Sequence, residues 1–278
     1  MDLNPTAVRV VAGALGLRCL VWGRDADPTV LLVHGNGGHA HWWTPLVPAL
    51  VPGWRLVVPD LRGHGESDWP TTPAYRLDDL VGDLEAVRQA LAPGPVVVAG
   101  HSMGGRVALA YAAQHAVRGL ALLDTHLGGV DAALSARWRG RVSGRRDGPG
   151  YPTRAAAIAA FRFVPDERDV PPDTVALLAA HAIRERAPGE WTFRFDRAVL
   201  SLEGDGAGDL SRLLAGIECP VWLASGARSW VMDAAERARM AAACPGTTPA
   251  VFPGGHHFLV AHPTEVGFAL RRFLDGLP

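Results

Sequence analysis

The sequence predicts an α/β fold: a mostly parallel eight-stranded sheet flanked by helices, with a helical cap inserted after strand 6. Three observations carry that expectation. Runs such as Val30-Leu31-Leu32-Val33 and Val96-Val97-Val98-Ala99 are continuously apolar, as strands covered on both faces must be. They alternate with longer Ala/Leu/Arg stretches of helical period, and that order builds a parallel sheet between helical layers. The alternation then breaks once, between about residues 126 and 208.

Taken in order, the strands are expected at Ala7–Val11, Leu17–Trp22, Thr29–His34, Arg55–Pro59, Pro95–Gly100, Leu120–Asp124, Val221–Ser225 and Thr248–Phe252. Helices are expected at Leu77–Leu91, Gly104–His115, Asp233–Ala242 and Thr264–Leu274. The interrupting stretch contains no convincing buried strand. It has two helical segments, near Thr153–Arg162 and Asp173–Glu185, and collects Trp138, Tyr151, Phe161, Phe163, Trp191, Phe193 and Phe195. Residues 1–125 and 209–278 are therefore assigned to the core, and 126–208 to a cap over one edge of the sheet.

Composition narrows the function. The 278 residues are 48% hydrophobic and 20% charged with a formal net charge of −1, so no concentrated basic field exists to bind nucleic acid or an anionic membrane. The 3 cysteines (Cys19, Cys219, Cys244) have no C-x-x-C spacing and read as small buried hydrophobes in a reducing compartment. The start, Met1-Asp2-Leu3-Asn4-Pro5, lacks the basic region of a signal peptide. No uncharged stretch approaches the roughly 18 residues of a membrane span. A cytoplasmic location and a small-molecule substrate are expected; the pattern says nothing of oligomeric state.

The strongest local signal is Gly100-His101-Ser102-Met103-Gly104, set between an apolar run and a helix. G-x-S-x-G in that setting is a nucleophile elbow: the glycines permit a sharp turn that holds the serine hydroxyl out over the strand end. A second Gly-rich turn, His34-Gly35-Asn36-Gly37-Gly38, ends the third strand. An acyl-transfer site needs preorganised N–H donors for its oxyanion; the backbone N–H groups of Met103 and Asn36 are the candidates. The base is sought near the end of the chain, where Gly254-Gly255-His256-His257 offers two neighbours. His256, directly after the glycine pair, is preferred, with His257 lining the pocket. For the acid, Asp124 finishes the apolar strand Leu120–Leu123, at the carboxyl end where open α/β sheets bind ligands. Its burial would be costly unless paired. Asp233 is the alternative. The remaining histidines have no carboxylates at metal-ligand spacing, so neither a metal nor a cofactor is expected.

Together these motifs resemble the α/β-hydrolase superfamily, across nearly the whole chain. Pro59-Asp60-Leu61-Arg62-Gly63-His64-Gly65-Glu66-Ser67 is similar to the superfamily's loop after the fourth strand. Leu122-Leu123-Asp124-Thr125, the phrase Gly189-Glu190-Trp191-Thr192-Phe193-Arg194-Phe195-Asp196 and Gly255-His256-His257 resemble its serine hydrolase-like branch. Many members carry the acid after the seventh strand, where this chain has Ser229. One type of haloalkane dehalogenase places it after the sixth, matching Asp124, but uses an Asp nucleophile where this chain has Ser102.

The resemblance implies a serine hydrolase acting on a small ester, thioester or lactone, with Trp138, Trp191, Trp230 and His257 about an apolar pocket. Cofactor-free dioxygenases keep a Ser, a His and an acid after the sixth strand, so dioxygenase or C–C bond hydrolase chemistry is a second reading. A non-catalytic small-molecule binding protein is a third.

Overall fold

The computed structural model describes residues 3–128, 146–201, 208–245 and 247–278. The strands are β1 (Thr6–Ala12), β2 (Leu15–Trp22), β3 (Thr29–Val33), β4 (Arg55–Pro59), β5 (Val97–His101), β6 (Gly119–Leu123), β7 (Ile183–Ala187), β8 (Glu190–Phe193), β9 (Val221–Gly226) and β10 (Ala250–Phe252). The α-helices are α1 (Val47–Leu50), α2 (Leu77–Leu91), α3 (Met103–Ala112), α4 (Arg154–Ala159), α5 (Pro172–His181), α6 (Ser211–Ala215), α7 (Ala234–Ala243), α8 (Phe258–Ala261) and α9 (Pro263–Asp275). A 3₁₀ segment, Ala40–Leu46, precedes α1.

Eight strands form one sheet in the order β1-β2-β4-β3-β5-β6-β9-β10. β1 and β2 are antiparallel to their neighbours, and every pair from β4 to β10 is parallel. The chain is an α/β-hydrolase fold, as expected. Strand alternation explains the unbroken apolar runs. Leu31, Val33, Val57, Val98, Leu120 and Leu122 pack toward Leu84, Val87, Val107 and Tyr111 of α2 and α3. Val30, Leu32, Leu56, Val58, Val97 and Ala121 pack with Trp43, Leu46, Phe258, Val266 and Leu270 on the opposite face. Burying both faces at about 25 cal/mol per Å² of apolar area gives the sheet its stability. From β3 the order runs to β4 on one side and β5 on the other, leaving a crevice at their carboxyl ends, the usual ligand position in open α/β sheets.

The insertion between β6 and β9 corrects one expectation: its described part is not purely helical. Besides α4 and α5 it holds an antiparallel hairpin, β7–β8, and the helix expected to reach Glu185 ends at His181. Pro188 and Gly189, the latter at φ +74°, supply the turn. In Ile183-Arg184-Glu185-Arg186-Ala187 only Ile183 is buried, so the strand carries almost no apolar alternation to reveal it. No helix among the described residues is long and apolar enough to cross a membrane.

Candidate active site

The elbow forms because no side chain fits where its glycines stand. A Cβ on Gly100 would collide with the Gly104 carbonyl, and one on Gly104 with the carbonyls of Val33 and His34. β5 can therefore turn directly into α3 beside the end of β3. Ser102, at the corner, is held at φ 55°, ψ −121°. Among the described residues only two non-glycines have positive φ, and they are Ser102 and Asp124. Such conformations cost on the order of 1–3 kcal/mol each and persist only where surroundings impose them. Here neighbouring strands do so: the Ser102 N–H donates to the Leu123 carbonyl at 2.9 Å, and the Asp124 N–H to that of Ala224 at 2.8 Å.

These two side chains meet on His256. The Ser102 hydroxyl lies 3.0 Å from His256 Nε2, and Nδ1 of the same ring lies 2.9 Å from Asp124 Oδ1. A carboxylate only accepts, so Nδ1 carries the proton and Nε2 is left to accept from the hydroxyl. Asp124 is fully buried. It also accepts from the Gly226 N–H at 2.9 Å on Oδ2, and from the Ser229 hydroxyl at 2.5 Å on Oδ1. Ser229 Oγ in turn accepts the N–H groups of Val231 and Met232, each at 3.2 Å. The serine that stands where an acid was sought thus donates to the acid on the neighbouring strand.

The two alternative residues stand elsewhere. Asp233 caps α7, accepting the Glu236 N–H at 2.8 Å. His257 is buried against Trp42, Phe163 and His101, with the Val164 and Pro165 backbone beside its ring. Burial, reinforced by His256, holds the His257 ring well below the ordinary histidine range. The donor atoms of His101, His256 and His257 lie within 4.8 Å of one another, a spacing of interest for a metal. Two of the three rings are committed, however: His256 to Asp124 and Ser102, and His101 through Nε2–H to the His256 carbonyl at 2.9 Å.

The turn after β3 runs past the nucleophile, since a Cβ on Gly35 would stand 3.0 Å from His101 Nδ1 and 3.1 Å from Ser102 Cβ. His34 braces it: the Leu61 N–H donates to Nε2 at 3.0 Å and Nδ1–H donates to the Gly35 carbonyl at 2.8 Å. Asn36, in the same turn, has a buried side-chain carbonyl without a partner among the described residues. Met103 opens α3 beneath the hydroxyl.

Of the four residues expected around the substrate, His257 stands at the site. Trp191 lies on β8 with its backbone bonded to Tyr151, and Trp230 is 41% exposed beside Ser229. Trp138 falls outside the described residues. The sequence reading overlooked Trp42, whose ring stacks on His101 at 6.3 Å and meets Phe163 edge-on at 5.7 Å. Its place in an aromatic pair after a Gly-rich turn was the available signal.

Comparison with known proteins agrees with this architecture. A family profile described as "alpha/beta hydrolase fold" matches residues 28–263. An esterase of Mycobacterium tuberculosis is 32% identical over 208 residues, spanning 73% of this chain and 67% of that protein. A pimeloyl-[acyl-carrier protein] methyl ester esterase of Xanthomonas campestris pv. campestris is 31% identical over 268 residues, covering 90% of this chain and 96% of its own. Among solved structures, E-2-(acetamidomethylene)succinate hydrolase superposes with a TM-score of 0.86 at 24% identity, over 98% of this chain and 100% of that one. With sheet order, elbow and matched profile in agreement, the chain belongs to the alpha/beta hydrolase fold family.

Proposed function

We propose that the protein is a serine hydrolase that cleaves a small carboxylic ester, thioester or lactone through an acyl-enzyme intermediate. The observation that carries this reading is the unbroken hydrogen-bonded chain from Ser102 through His256 to Asp124. In the first half-reaction Ser102 Oγ attacks the carbonyl carbon while His256 Nε2 takes its proton. The resulting imidazolium is stabilised and oriented by Asp124, then returns the proton to the leaving group. The backbone N–H groups of Met103 and Asn36 receive the negative charge on the carbonyl oxygen. Water, deprotonated by His256, releases the acid in the second half-reaction. The esterase names of the two sequence relatives support the same chemistry. Trp42, Phe163 and His257 supply an apolar wall at the triad; residues 126–208 act as the cap.

The test is hydrolysis of p-nitrophenyl esters of increasing acyl length by the wild type and Ser102→Ala. Turnover and fluorophosphonate labelling of the wild type are expected, with a fall in kcat of at least about 10⁴-fold in the variant. A variant with wild-type kcat overturns the assignment. The acid's position after the sixth strand is what the second reading shares. Metal- and flavin-independent oxygen uptake with an aromatic substrate, in place of ester turnover, would decide for it.

A further inference from the structure

The turn that carries His256 is held by more than its own strand. Gly226 leaves no room for a Cβ against the Gly255 carbonyl, which fixes the turn's approach to β9. The His256 carbonyl accepts from His101, a residue of the elbow itself. The two N–H groups flanking His256 both point at one side chain, Glu167, from the segment of the insertion between α4 and α5. Oε2 accepts the Gly255 N–H at 2.9 Å and the His257 N–H at 3.2 Å, and Oε1 lies 3.1 Å from the Gly255 nitrogen. The approach is close enough that a Cβ on Gly255 would stand 2.8 Å from Oε2.

Glu167 is 8% exposed, and among the described residues it makes no ion pair. A buried carboxylate is expensive unless hydrogen-bonded, and what bonds this one is the backbone on either side of His256. Its own segment is seated at the site as well, because Phe163 packs on His257 at 5.4 Å and on Trp42.

We propose that Glu167 is a positioning residue: carried by the insertion, its carboxylate holds the 255–257 turn so that the His256 ring stays aligned between Asp124 and Ser102. The triad is then completed by the insertion, although none of its three side chains comes from there. This inference rests on the reading of His256 as the base.

Three variants test it: Glu167→Ala, Glu167→Gln and Phe163→Ala. Activity is measured as kcat and KM on a short p-nitrophenyl ester. Proton NMR follows the downfield His256 Nδ1–H signal, which reads the bond to Asp124 without any turnover. A thermal scan confirms folding. Misplacing a catalytic group by about 1 Å costs roughly 100-fold, so Glu167→Ala is expected to lower kcat by about 10- to 100-fold with KM within about 2-fold. The His256 signal should shift or broaden. Glu167→Gln keeps one oxygen able to accept both N–H bonds but sets an NH₂ against the Gly255 nitrogen, so it should fall between the wild type and the alanine variant.

Phe163→Ala, which leaves the carboxylate in place, should raise KM while sparing the His256 signal. A folded Glu167→Ala with wild-type kcat and an unchanged signal overturns the proposal, as does Phe163→Ala reproducing the same kcat loss and signal change. Should Glu167→Ala fail to fold, Glu167→Gln decides: kcat lowered severalfold upholds the proposal and wild-type kcat overturns it. If the wild type neither turns over esters nor labels, the hydrolase reading fails. The NMR signal then still judges Glu167 alone, upholding the inference if altered and overturning it if not.

Discussion

Two fully buried aspartates, Asp124 at the sheet edge and Asp196 where the insertion meets the core, are held in opposite ways. Asp196 is neutralised by an arginine: Arg146 Nε donates to Oδ2 at 2.8 Å, Tyr75 bonds the same oxygen, and the Ala198 N–H donates to Oδ1 at 3.0 Å. Arg146 also reaches the Pro70 and Thr71 carbonyls, at 2.6 and 3.1 Å, so this charge pair ties the insertion to the loop after β4. Among the described residues no arginine pairs with Asp124. It is bonded by a backbone N–H, a serine hydroxyl and an imidazole. A permanent cation makes a fastener. An imidazole becomes a cation only while it holds a second proton, so the charge on Asp124 is not permanently neutralised. Burial is therefore common to the two carboxylates, and the kind of partner is what separates them.

The sharpest way to break this contrast is to neutralise Asp124. Asparagine tolerates positive φ, so Asp124→Asn should keep the backbone, and the thermal midpoint should change little. kcat should nevertheless fall by about 10⁴-fold, since the imidazole loses its partner and its tautomer. Steady-state kinetics beside a thermal scan gives both readings; near-normal kcat would remove Asp124 from the mechanism.

Arg146→Ala should do the reverse. Asp196 is buried but Arg146 is part-exposed, so solvent screens the pair and removing the cation should cost about 1–2 kcal/mol. Urea denaturation should register that loss, while kcat of the folded enzyme stays within about 3-fold because the triad is untouched. A variant as stable as the wild type would mean that Asp196 does not need its cation.

The smallest effect is a pH dependence spanning both regions. His34 braces the turn beside Ser102, and His64, whose ring meets that of His34 at 5.0 Å, sits in the loop paired with Phe195 of the insertion. Burial pushes His34 down to about 4 and His64 down to about 3. An unfolded histidine titrates near 6.5, so between that value and the depressed ones the unfolded chain binds more protons than the folded one. The stabilisation is complete above about pH 6.5 and is lost as pH falls toward 4 and then 3. Each ring should contribute a loss on the order of 1–2 kcal/mol at about pH 5. Urea unfolding at neutral pH and near pH 5 measures it; equal stabilities would show that these rings are protonated in the fold.

The sheet edge was legible in the sequence because its constraints are steric. Gly100, Gly104 and Gly35 stand where backbones touch, and such positions leave a pattern in one dimension. The strands of the sheet were legible because burial on both faces enforces continuous apolarity. The insertion was not: β7 is mostly charged, and its hairpin is shaped by a Pro-Gly turn and local pairing instead of by a core. Glu167 was invisible for a related reason. Between Asp166 and Arg168 it looks like solvent-facing charge, and only the fold brings it to the backbone around His256. Ser229 was read as a missing acid, when its hydroxyl in fact serves the acid on the adjacent strand.

That last contact bears on how a chain of this kind can diverge. Positions 124 and 229 converge on one spot, and two carboxylates so close cannot both ionise. A lineage that acquired aspartate at 229 while keeping Asp124 would hold a shared proton beside its imidazole. Such a pair would still carry one negative charge, now divided between two strands, whereas the neutral serine leaves that charge on Asp124 alone.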